Sequence, residues 1–120
     1  MTQTTNQSGY DLEDRTLQFA INVRNFIRSL PRSIINIEDG KQLIRSSGSV
    51  GANYIEANEA LGKKDFAMRM KIARKEAKES RYWLRLLDAN DPENEKVRMG
   101  LIQESTELLK IFTAIVMKSS

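Results

Sequence analysis

The sequence predicts an all-α fold, an antiparallel up-and-down four-helix bundle, and three observations predict it. Apolar residues recur at spacings of three and four through four long stretches, the period of one helix face. Pro31, Gly62 and the Asn90-Asp91-Pro92 run punctuate those stretches. The links between them are short, so long helices must return as antiparallel neighbours. One hundred and twenty residues are enough for one such domain.

The elements follow in order. Residues 1–10, MTQTTNQSGY, are polar with almost nothing to bury and are expected to form a disordered tail. The bundle is expected over 11–118. In the first helix Leu12, Thr16, Phe19, Ala20, Val23, Phe26, Ile27 and Leu30 share one face. Asp11, Glu13 and Asp14 suit its positive end, and Pro31 ends it.

Asn36 is expected to cap the second helix, with Glu38 and Asp39 in its first turn. That helix should run to Leu61 with Gly62 as its stop. Its middle, SSGSVGAN, is rich in glycine and serine, and a break there is the naive reading. The helix reading prevails because Leu43, Ser47, Val50, Tyr54 and Leu61 hold the phase across it. Small residues also let a neighbouring helix come close. The third helix should span about Lys63 to Asn90, with no interior glycine or proline. Asp91 can cap the fourth helix and Pro92 suits its first position. Val97, Leu101, Leu108, Ile111, Phe112 and Ile115 form its stripe.

Composition narrows the chemistry. The chain has no histidine and no cysteine. The commonest general base, the thiolate nucleophile and the usual zinc and di-iron ligand sets are therefore missing. No phosphate loop or dinucleotide-type glycine motif appears. No catalytic residue, cofactor or metal site is expected. With no apolar span of about 20 residues and no secretory signal, a cytoplasmic protein without a membrane partner is expected.

Charge is unevenly placed. The net charge of +3 hides an excess of +6 within residues 63–85. On a helical projection Phe66, Met70, Ala73, Ala77, Leu84 and Leu87 share one arc. Met68, Ile72, Trp83 and Leu86 form an adjoining apolar arc. Lys64, Lys71, Arg74, Lys75, Lys78 and Arg85 fill most of the rest, with Arg81 at the edge. Those seven cations form a ridge suited to the phosphates of RNA or DNA, with little sequence preference and strong salt dependence. The bland alternative is a solvated helix face.

Glu76 and Glu79 fall within the apolar arc, where a carboxylate needs a partner. Arg45 lies on one stripe of the second helix with Ser49, Ala52 and Glu56. Arg45, Glu56, Glu76 and Glu79 are therefore read as structural ion-pair residues. Leu17, Ile21, Ile44, Ile55 and Leu109 lie at or beyond the margins of their stripes. They suggest a second apolar surface, used for self-association or for docking another protein.

Two segments together resemble a known family, the bacterial four-helix-bundle proteins related to the intervening-sequence proteins of 23S ribosomal RNA genes. Its second-helix signature is an Arg-Ser-x-x-Ser-x-x-x-Asn-Ile-x-Glu-like run. Arg45, Ser46, Ser49, Asn53, Ile55 and Glu56 stand for it here, displaced by one residue at Tyr54-Ile55. Ile72, Ala73, Arg74, Glu76 and Glu79, followed by Tyr82-Trp83-Leu84, match the third-helix signature. The resemblance implies an up-and-down bundle assembled as a ring-like homopentamer. Similar proteins include the accessory variability determinants of diversity-generating retroelements, basic pentamers that bind nucleic acid and partner with a reverse transcriptase. The function expected is thus a non-catalytic homo-oligomer that binds RNA or DNA backbone. The alternative is a protein-interaction scaffold.

Overall fold

The computed structural model of the chain describes residues 11–119. The expected tail at 1–10 lies outside the described residues. Four helices account for nearly all the rest: α1 (Leu12–Ser29), α2 (Ile34–Asn58), α3 (Lys63–Leu86) and α4 (Pro92–Ser119). Each packs against two others around a closed circuit, α1 with α2 and α4, and α3 with α2 and α4. Ser46 meets Ser80 while Asn36 meets Asp88, so α2 and α3 run antiparallel. Arg15 reaches Glu104 while Ser29 reaches Asn94, so α1 and α4 do too. No described helix is long and apolar enough to cross a membrane.

The predicted stripes meet at the axis, except that Val97 of the fourth stripe is 43% exposed. Phe19, Val23, Leu43, Val50, Met70, Leu84, Leu108 and Phe112 are fully buried. The glycine- and serine-rich middle of α2 is continuous helix. Its small residues explain how closely α1 can approach. A Cβ on Gly51 would lie 2.8 Å from Thr16 Oγ1 and 3.2 Å from Thr16 Cβ.

Three boundaries differ from expectation. Ser33, not Asn36, caps α2, its hydroxyl accepting from the Asn36 amide at 3.1 Å. Asn36 is buried and serves another purpose. Its Nδ2 donates to the carbonyls of Pro31 and Asp88, and its Oδ1 accepts from the Asp88 amide at 2.9 Å. One amide thereby joins the α1–α2 link to the end of α3. The second helix ends at Asn58, leaving Leu61 fully exposed, and Gly62 precedes α3 in an extended conformation. The third helix ends at Leu86 instead of Asn90. Leu87 and Ala89 turn inward to the core, and Asn90 takes φ 38°, a left-handed conformation that asparagine tolerates. Asp91 caps α4 by accepting from the Asn94 amide at 2.7 Å.

Candidate nucleic-acid interface

The third helix presents Met70, Ala73, Ala77, Ser80 and Leu84 to the core, and two flanks remain. The flank toward α4 is basic and concave. Lys71, Arg74, Lys75, Lys78 and Arg81 on α3 line a groove of about 610 Å³ with Leu109 and Thr113 on α4. Arg74 and Arg81 are half-buried, and the three lysines are exposed. This is the usual posture of a long cationic side chain over apolar surface. The Arg81 Nη1 donates to Thr106 Oγ1 at 3.3 Å. Lys64 and Arg85 lie outside the groove, near the two ends of the helix, and both are exposed.

Among the described residues no carboxylate lies within ion-pair distance of any of these seven cations. Arg24, Arg28, Arg32, Lys63, Lys96, Lys110 and Lys118 also have no carboxylate partner among the described residues, whereas other cations outside the ridge are paired. Arg15 is held by Glu104 at 2.7 Å and Glu107 at 2.8 Å, Lys41 by Glu38, Arg69 by Asp65 and Arg98 by Glu95. The two carboxylates push the Arg15 guanidinium pKa up, with the Glu104 hydrogen bond contributing most. The ridge cations are thus left with charge available to an external anion.

Leu109 and Thr113 were not identifiable as groove residues from sequence. Leu109 stood out only as an apolar residue off its own stripe, and Thr113 is one turn further along the same helix. Arg98 was also missed. It donates to the carbonyls of Leu84 and Arg85 at 3.1 and 3.3 Å, satisfying the open C-terminal end of α3. A cation near a helix C-terminus is a familiar arrangement, but this one comes from the next helix.

The flank toward α2 is closed. Ser80 Oγ lies 3.0 Å from the Ser46 hydroxyl and 2.9 Å from the Glu76 carbonyl, and all three residues are buried. Arg45 and Glu79 approach to 3.4 Å at the rim. Glu56 is exposed and forms no ion pair among the described residues. Glu76 is only 6% exposed, and its Oε1 has no hydrogen-bond partner. Burial raises its carboxyl pKa, helped by the negative charge of Glu79 and opposed by Arg45 and Lys75. Arg45 is drawn to the rim by Glu79, so it does not reach the deeper carboxylate. In the adjoining apolar arc Ile72 and Trp83 are partly buried, whereas Met68 and Leu86 are about half exposed.

Comparison with known proteins adds the following. The model of a family described as 23S rRNA-intervening sequence protein matches residues 10–114. A solved structure from Bacteroides thetaiotaomicron, described as a protein of unknown function from the S23 ribosomal protein family, is similar throughout. It shares 31% identity over 88% of this chain and 98% of its own, with a TM-score of 0.74. No curated protein matches the chain significantly.

Proposed function

This chain belongs to the 23S rRNA-intervening sequence protein family, and from that premise we propose that it is a non-catalytic homo-oligomer that binds RNA or DNA backbone through the basic flank of α3. One observation carries the reading. Five cations without carboxylate partners line a single groove, and Lys64 and Arg85 extend the same charge along the helix. Such a surface attracts phosphates by releasing counterions, independently of sequence. Assembly would multiply the field, because several modest patches sum.

Fluorescence anisotropy with labelled RNA and DNA oligonucleotides at low salt tests the binding. Affinity should fall linearly with log salt. Replacing Arg74 and Lys78 with Gln should reduce the slope by roughly 0.7 to 0.9 per residue. Absence of binding by the intact protein at low salt would overturn the proposal.

Self-association has separate support. Leu17 and Ile21 on α1 and Ile55 on α2 are 58%, 40% and 44% exposed. An apolar surface of this kind also fits a protein partner, the scaffold reading. Light scattering separates the two. A mass of several times 13.7 kDa, five times if a pentamer, supports self-association. A monomer that captures a protein from nuclease-treated lysate supports the scaffold.

A further inference from the structure

We infer that the basic flank of α3 takes single-stranded nucleic acid, with Tyr82 as the platform on which an unpaired base stacks. The inference rests on the nucleic-acid reading above and names the form of the ligand. Tyr82 is 58% exposed, near the C-terminal end of a helix whose other aromatic residues are partly covered. Its position along α3 is the informative part. Lys75, Lys78, Tyr82 and Arg85 follow one another at steps of three, four and three residues, so they line the same outer side at one-turn intervals. At 1.5 Å rise per residue, Lys78 and Arg85 lie about 6 and about 4.5 Å along the axis from Tyr82. An aromatic ring therefore interrupts the cation row with a positive charge one turn to either side.

The ring is also held. Trp83 packs against the core cluster, and its ring meets that of Tyr82 in an edge contact, with centroids 5.2 Å apart and planes at 78°. A supported, exposed ring flanked by cations is what single-strand binding surfaces combine, backbone attraction with base stacking. A duplex can use the cations but not the ring, because its bases are already stacked and turned inward.

The test uses the full chain with a mixed-sequence 12-nucleotide RNA, free and annealed to its complement. Tyr82→Ala should weaken binding of the free strand about 5- to 150-fold, the range expected for losing one stacked base. Duplex affinity should stay within about twofold, and Tyr82→Phe should retain both. Trp83 is the single tryptophan, so its emission should change when the free strand binds and stay constant when the duplex binds. Unchanged free-strand affinity in Tyr82→Ala, or equal losses on both forms, overturns the stacking inference and leaves the ridge reading intact. Failure of the wild-type protein to bind either form overturns the ridge reading, and the inference with it.

Discussion

The two flanks of α3 are built from one helix yet differ in kind. Toward α2 the buried residues are small or apolar apart from Glu76, and the serine hydroxyls of Ser46 and Ser80 face each other across a buried seam. Toward α4, lysines and arginines keep a groove open over Leu109 and Thr113. The first flank has no room for a ligand and spends its side chains on packing. The second is lined by long stems whose charges no carboxylate pairs among the described residues. The difference teaches that substitutions should separate cleanly, with stability lost on one flank and, by the proposal above, binding lost on the other.

The largest expected effect comes from overfilling the closed seam. Ser80→Leu adds bulk where the side chain has no exposure and removes the hydrogen bond to the Ser46 hydroxyl, leaving that group only its longer bond to the Leu43 carbonyl at 3.3 Å. Overpacking of this sort costs typically 1–3 kcal/mol, and about 3 kcal/mol is expected once the lost hydrogen bond is included. Urea unfolding measures it. Lys75→Leu on the exposed flank should change stability by less than about 0.5 kcal/mol. Comparable losses at the two positions would erase the distinction.

How much of this was readable in the residues differs in the same way. The helices and the buried stripes follow from a 3.6-residue apolar period, and even the SSGSVGAN stretch kept its phase through Leu43, Ser47 and Val50. The basic flank was visible as a charge excess, because a helix projects its side chains regularly. The groove was not, since its other wall belongs to α4. Asn36 shows the limit most clearly. Locally it reads as a helix cap, and Ser33 three residues earlier fits the same role. The choice is made by Asp88, fifty-two residues away, whose backbone occupies the Asn36 amide. Likewise no glycine or proline marks the end of α3 at Leu86. The burial of Leu87 and Ala89 ends it.

Glu76 sharpens the comparison at intermediate magnitude. Its carboxyl pKa is raised in the folded protein above the ordinary 4.5. The fold therefore favours the protonated form. The stability this gives is full below about pH 4.5 and is lost as pH rises through the elevated folded value. Above it, an ionised carboxylate sits buried with one oxygen unsatisfied. Glu76→Gln should stabilise the protein by about 1 kcal/mol at pH 7, and the gain should disappear on going to pH 4. Thermal melts across that range test it. A loss of stability at pH 7 would instead reveal a cation seated against Glu76, as an assembled neighbour could supply.

The smallest effects are the most diagnostic, because their signs differ. Arg45 and Glu79 are an exposed pair at 3.4 Å, with side chains 56% and 39% accessible. Arg45→Ala should cost less than about 1 kcal/mol, and the cost should shrink toward zero in 1 M salt. Lys78 has the opposite surroundings. Arg74 lies four residues before it and Lys75 three, both on the same side, and no carboxylate is within ion-pair distance among the described residues. Like charges at these spacings destabilise a helix by about 0.2–0.5 kcal/mol per pair. Lys78→Ala should therefore stabilise the free protein by a few tenths of a kcal/mol, and salt should remove that gain too. Denaturation at low and high salt reads both variants in one experiment. If Lys78→Ala destabilised the protein in a salt-sensitive way, Lys78 would have a hidden anionic partner within the fold, and the charge assigned to an external phosphate would already be spent.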